Sequence, residues 1–249
     1  MKFESIRVYN FEGALHGMRN PMNSWTKSDS AFGIGYIDEV QNKAKSINPL
    51  LSHKDYAVNV NYRDAIEEYA IIGPNDMALA QRLILAGNEH RKFMRQIFVT
   101  VDITAPLYFL KEFDTYKINT VANSTSTMHK LASTPITLDC FEIDDYEREY
   151  ADLSDQGIDT SLIIDYLETL RLQYLATQDK RYWKELIRWL PEGWLQTRTV
   201  TMNYENLRNI YFQRRNHKLT EWSVSFINFI KSLPYAEQLI MYEGEDKKN

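Results

Sequence analysis

The chain of 249 residues holds a single cysteine, Cys140. One thiol excludes an intrachain disulfide and any cysteine-based zinc cluster. It leaves Cys140 as a small core hydrophobe or as a nucleophile, the first being the commoner use. The five histidines (His16, His53, His90, His129, His217) lack metal-ligand spacing, so no metal is expected. No run of about 18 apolar residues exists, which excludes a bilayer-spanning helix of ordinary length. The opening MKFESIRVYNFEG is polar and alternating, unlike an export signal. A reducing cytoplasm is the expected setting. There is no Lys/Arg block and the net charge is −5, so polymeric nucleic acid is not an expected partner. A local cationic pocket for a phosphate remains compatible with that balance. The patterns GxGxxG, GxxxxGK[ST], HExxH and GxSxG are all missing, and no internal repeat is present.

What is present is an ordinary globular composition, 44% hydrophobic and 25% charged, in a length that fits one domain. Sixteen tyrosines and five tryptophans predict a ring-rich interior, with stacking on a planar ligand or a subunit interface as further uses. Phe3 to Val8 reads as an opening strand. Leu15 to Trp25, broken by Gly17 and Pro21, reads as a turn-rich loop. Residues 26 to 72 are ambiguous, with a helical piece at Ile37 to Ser46 and a strand at Tyr56 to Val60. Gly73-Pro74-Asn75 starts a helix that Gly87 ends. Ile97, Val99, Val101 and Ile103 alternate on one face of a strand. Pro106 opens a helix over Leu107 to Tyr116. Lys117 to Ser133 is rich in Asn, Ser and Thr and reads as a ligand loop or connector. An acidic run from Glu142 to Asp155 reads as a solvated face.

From Thr160 onward the chain reads as helical. Leu162, Ile163, Tyr166, Leu167 and Leu170 line one helix. Trp183, Leu186, Ile187 and Leu190 line the next. Trp222, Phe226, Phe229, Ile230 and Leu233 line the last. Between them, a helix capped by Asn203 puts Leu207, Ile210 and Arg214 on one side at 100° per residue. A guanidinium on an apolar face needs an anion or several acceptors. An internal salt bridge and a ligand contact are both open for Arg214. Strands early and helices late predict an α+β fold: a mixed sheet flanked by helices, with a helical C-terminal half. The organisation expected is one domain over 1–249, with a strand-rich core at 1–135 and a helical part at 156–240 completing the site.

Three segments in fixed order carry a resemblance. They are GPNDMALAQRLILAGNEHRKFMRQIFVTVDITAP, LYFLKEFDTYKINTVANSTSTMHKL and LP…TRTVTMNYENLRNIYFQRR…EW. Together they resemble the flavin-dependent thymidylate synthases. The C-terminal segment matches best, through Thr197-Arg198, Asn203, Leu207, Asn209, Arg214 and Trp222. The family's Arg-His-Arg motif falls on Thr115, Tyr116 and Lys117, and its nucleotide-phosphate arginine on Met128. Its Glu falls on Ser124 and its nucleotide-binding Gln on Glu112. A second phosphate arginine falls beside Arg188. His90 matches, while Lys92 and Arg95-Gln96 replace a flavin-binding Thr and Glu-His. Ser24-Trp25 fits a family Ser-Phe near the flavin.

The resemblance implies reductive methylation of dUMP, or a related pyrimidine nucleotide, at C5. FAD would be the cofactor, with NADPH and methylenetetrahydrofolate as co-substrates, in a homotetramer. It implies Arg214 as the group polarising the uracil. Ser124, Ser126, Glu112 and Arg188 would join Arg214 at the substrate. Ser24, Tyr116, Lys117, Asn123, Asn203 and Asn209 would contact flavin. A non-catalytic homologue keeping fold and oligomer as a nucleotide-binding or structural module is the alternative. A fold unrelated to the family is a third.

Overall fold

Alternation builds the strand at the centre of the chain: Ile97, Val99, Val101 and Ile103 are all buried, as their spacing predicts. The computed structural model describes residues 1–143 and 160–244. Most of the acidic run and the C-terminal tail, 144–159 and 245–249, lie outside the described residues. Among those described are seven strands: β1 (Lys2–Tyr9), β2 (Ala31–Tyr36), β3 (Ala57–Asn61), β4 (Ile66–Ile71), β5 (Phe98–Pro106), β6 (Val121–Ser124) and β7 (Leu195–Asn203). Four of them form a sheet in the order β1-β5-β7-β6, and three form a sheet in the order β2-β4-β3. The smaller sheet is antiparallel, with Ala31 opposite Ile71 and Tyr36 opposite Ile66. The architecture is α+β.

The chain divides into two compact units. One is Met1–Glu4, Asp102–Thr115 and Ala122–Thr199; the other is Ser5–Val101, Tyr116–Val121 and Val200–Asn249. In the first, Leu131, Ile136, Leu167, Leu170 and Leu186 form the core, with Phe141, Tyr182 and Trp194 packed against it. The helix Ser161–Thr177 thus buries Leu167 and Leu170 as expected, but Leu162, Ile163 and Tyr166 are about half exposed. This helix is apolar almost all round, so periodicity alone does not select its buried face. Arg171 is buried on it and forks onto Glu168, which also accepts the Ile136 N–H at 2.8 Å. Those bonds hold the Glu168 carboxyl below its ordinary range, the guanidinium bond being the largest cause.

In the second unit, Gly73 and Pro74 do open a helix, Pro74–Leu85, with Gly87 at φ 107° beyond its end. Asn203 caps the helix Tyr204–Arg214, its side chain accepting the Asn206 N–H at 2.9 Å. Trp222, Phe226, Phe229, Ile230 and Leu233 are all buried. They lie on a stretch with π turns over Glu221–Phe226 that runs into the helix Ile227–Ser232. Two buried tyrosines tie down backbone groups through their hydroxyls. Tyr204 donates to the Pro234 carbonyl at 2.6 Å, and Tyr235 accepts from Ile72 N–H and donates to the Ala70 carbonyl, both at 2.8 Å.

Four sequence expectations are corrected. Leu15 to Arg19 is helical, inside Phe11–Arg19. Gly17 sits inside that helix rather than at a turn, with the movable end of the Gln96 side chain beside it. The C-terminal part is not wholly helical, since β7 occupies Leu195–Asn203 and carries alternating threonines. The helix after Pro106 ends at Phe113, tightening to a 3₁₀ turn over Asp114–Tyr116. Cys140 is partly exposed rather than buried. No helix among the described residues is long and apolar enough to cross a membrane.

Candidate functional site

A 3₁₀ turn repeats every three residues, so residues three apart share a face. In the turn Arg91–Gln96, Phe93 and Met94 are buried, while Lys92 and Arg95, three apart, lie together on the outside. Both line a cleft of about 1390 Å³ in the second unit. The helix Pro74–Leu85 supplies a second wall through Asn75, Leu79, Arg82 and Leu83, the i, i+4, i+7, i+8 stripe of one helical face. Ser24 and Lys27 come from the segment after the first helix, and His90 immediately precedes the turn. The buried Arg19 lines the cleft too, but its charge is taken by the fully buried Asp76 at 2.6 Å. Asp76 also accepts the hydroxyls of Ser28 and Ser30, so this ion pair is a structural tie.

Elsewhere in the same unit, the last turn of Tyr204–Arg214 carries the arginine singled out from sequence. Arg214 Nε donates to the Tyr116 hydroxyl at 2.7 Å. Its guanidinium lies 5.0 Å from the Trp222 ring centroid and 5.6 Å from that of Tyr116. The two rings meet edge to face at 5.9 Å. The Tyr116 hydroxyl in turn donates to Gln213 Oε1 at 3.1 Å. Planar guanidinium on two aromatic faces is the arrangement that Arg, and not Lys, can make.

Arg214 is half-buried, which corrects the expectation of an arginine sunk in the apolar face. The helix is buried from Tyr204 to Arg208 and at Ile210, and then emerges. The buried guanidinium of this helix is Arg208. It donates to the Ile240 carbonyl at 2.9 Å and the Tyr242 carbonyl at 2.7 Å, holding the C-terminal segment. Burial, and then the neighbouring Arg91, lower Arg208 to about 10. Arg91 itself is bound by Glu205, both carboxylate oxygens lying at 3.0 Å. Neither Arg208 nor Glu205 was found from sequence; charges two and five residues past the Asn203 cap were the available signal.

Buried Asn206 Oδ1 and Thr120 Oγ1 have no hydrogen-bond partner among the described residues. Asn206 Nδ2 meanwhile donates to the Ile118 carbonyl at 2.5 Å, so both orphaned atoms belong to the region where this helix meets the Lys117–Thr120 turn. Sequence reasoning passed over both.

No protein-family model matches the chain, and no curated protein matches it. Two crystal structures of flavin-dependent thymidylate synthase ThyX from Helicobacter pylori, both described with FAD and dUMP, are similar to it in fold. Each is 16% identical and is matched over 98% of both chains, with TM-scores of 0.60 and 0.62. The chain has the fold of the flavin-dependent thymidylate synthases. The resemblance read from three sequence segments therefore holds at the level of fold.

Within this fold the expected site residues fall into both units. Ser24, Tyr116, Lys117, Asn203, Asn209 and Arg214 belong to the second unit. Of these, Tyr116 and Arg214 touch, Ser24 lines the cationic cleft, and Lys117 and Asn209 are exposed. Asn203 is buried, with its side-chain oxygen engaged in the cap. Glu112, Asn123, Ser124, Ser126 and Arg188 belong to the first unit. Asn123 and Ser124 are exposed on β6, and Ser126 caps the single turn Thr127–Lys130 by accepting the His129 N–H at 3.2 Å. Arg188 is exposed and ion-paired with Glu185. Arg198, also in the first unit, is bound by Asp114 at 2.8 Å.

Proposed function

We propose that the protein is a flavin enzyme of the thymidylate synthase type, reductively methylating dUMP or a related pyrimidine nucleotide at C5. FAD is its cofactor, with NADPH and methylenetetrahydrofolate as co-substrates, in a cytoplasmic homotetramer. The observation that carries this reading is Arg214, a guanidinium presented edge-bonded by Tyr116 and flanked by the Trp222 ring, in a fold shared end to end with FAD- and dUMP-containing neighbours.

The residues present fit both ligands. Lys27, Arg82, Lys92 and Arg95 around one cleft suit the diphosphate of a dinucleotide, and its volume exceeds the roughly 300–1,000 Å³ of pockets for drug-sized ligands. FAD, when bound, supplies the hydride-carrying chemistry. The chain supplies orientation and charge. Arg214 donates to the uracil oxygen on which negative charge develops, and Tyr116 and Trp222 fix its plane. Ser126 retains a hydroxyl proton for the substrate, because its oxygen acts only as acceptor in the cap. Ser124, Glu112 and Arg188 complete the substrate side. Lys117, Asn123, Asn203 and Asn209 join Ser24 and Tyr116 on the flavin side.

A second reading, a non-catalytic homologue, draws on the phosphate positions. Met128 stands where the resemblance expects an arginine, and Arg188 is engaged by Glu185. Purified protein titrated with FAD separates the two. The flavin enzyme takes up about one FAD per chain, with the cofactor's visible absorbance retained after desalting. Colourless protein with no uptake at saturating FAD leaves only the second reading.

A further inference from the structure

Lys92 and Arg95 are like charges three residues apart on one face of a tight turn, an arrangement that is unfavourable unless an anion lies between or beside them. Across the same cleft stands Arg82, and Lys27 lies on its rim. The side chains of Lys27, Arg82 and Lys92 have no hydrogen-bond or ion-pair partner among the described residues, and Arg95 reaches only the Asn88 carbonyl at 3.5 Å. Among the described residues, Glu89 is the one carboxylate on the cleft wall. This concentration of unneutralised positive charge sits in a chain of net charge −5. The floor is apolar, formed by Met18, Leu79, Leu83 and Phe93, which suits a planar base beside a charged group. Meanwhile the loop expected to hold flavin phosphates has kept one cation, Lys117, beside Thr115 and Tyr116.

Resting on the flavin reading for the identity of the ligand, we propose that Arg82, Lys92 and Arg95 form the diphosphate site of this protein. They take the ADP half of a dinucleotide, with the base against the apolar floor. The positive charge lost from the Arg-His-Arg position is supplied from this second wall. Each contact is a charge-assisted hydrogen bond to phosphate oxygen from an exposed side chain, so each contributes a modest factor and together they decide affinity.

The test uses full-length protein with ADP, adenosine and FAD as probes, in calorimetry and in flavin fluorescence. All three cations are exposed, so the variants Lys92→Gln, Arg95→Gln and their double are expected to melt like the parent. The double variant loses ADP and FAD affinity about twentyfold, with adenosine affinity unchanged and a flatter dependence on salt. Glu89→Gln tightens ADP severalfold. Equal ADP affinity in parent and double variant overturns the diphosphate site. If FAD binds well and indifferently to these charges, the site is wrong and the flavin reading stands. If ADP binding depends on them while FAD does not bind at all, the site stands and the flavin reading falls. If neither ADP nor FAD binds the parent protein, both are wrong.

Discussion

Arg214→Lys keeps a positive charge but removes the Nε bond and the planar stacking that orient it. The guanidinium gives Nε to Tyr116 at 2.7 Å and lies over two rings at 5.0 and 5.6 Å. For a half-buried group, each ring contact is worth about 0.5–1 kcal/mol and the charge-assisted bond about 1.5 kcal/mol. The orienting contacts therefore amount to about 2.5–3.5 kcal/mol, and on the order of 10²-fold in kcat/KM is expected to be lost when they disappear. Arg214→Ala also removes the donor proposed for the developing oxyanion and is expected to cost about 10²–10³ in kcat. Tyr116→Phe keeps the ring and removes only the hydroxyl that accepts from Arg214 and donates to Gln213, so about tenfold is expected, mainly in kcat. The assay is initial-rate formation of the methylated nucleotide by FAD-loaded protein, with dUMP affinity measured separately and circular dichroism confirming the fold. A folded Arg214→Ala variant with parental kcat/KM refutes the reasoning outright.

Two further predictions concern stability. The Glu168 carboxyl is held below its ordinary value by Arg171 and the Ile136 N–H, so its contribution is complete above the unfolded value of about 4.3 and fades as pH falls through the lower folded value. Glu168→Gln should flatten the acid limb of a denaturant-midpoint-against-pH curve; an unchanged limb contradicts the assignment. Asn203→Ala removes the cap on Tyr204–Arg214 and should cost about 1 kcal/mol, lowering Tm by roughly 2–4 °C, with scanning calorimetry as the measure and no shift as the contrary result.

Elements with one apolar face were legible in the sequence. The alternation at Ile97–Ile103, the Gly73-Pro74 start and the Asn203 cap each have a single physical solution, and the structure adopts it; the Trp222-to-Leu233 stripe is buried as read, but over π turns and a short helix rather than one regular helix. Elements with two apolar faces were not: Ser161–Thr177 offers several stripes, and only packing onto Leu131 and Leu186 decides among them. β7 was hidden because its strand residues run straight into a well-capped helix, and the cap signal dominated. In the site, Arg214 was reached by helical arithmetic that predicted burial. The argument applies better to Arg208, whose partners are carbonyls more than thirty residues away and leave no local trace. The cleft cations were visible only as departures at Lys92 and Arg95, because a charge pattern acquires meaning once a 3₁₀ turn puts i and i+3 on one face.

The central claim is that this fold still performs flavin chemistry on a pyrimidine nucleotide. The direct measurement is anaerobic: protein loaded with FAD and reduced by NADPH is mixed with dUMP and methylenetetrahydrofolate, and flavin absorbance and nucleotide mass are followed together. The account predicts reoxidation of the flavin only when both substrates are present, with a nucleotide 14 mass units heavier appearing in step, the mass of one added methylene. Flavin that stays reduced, with the nucleotide unchanged, contradicts it.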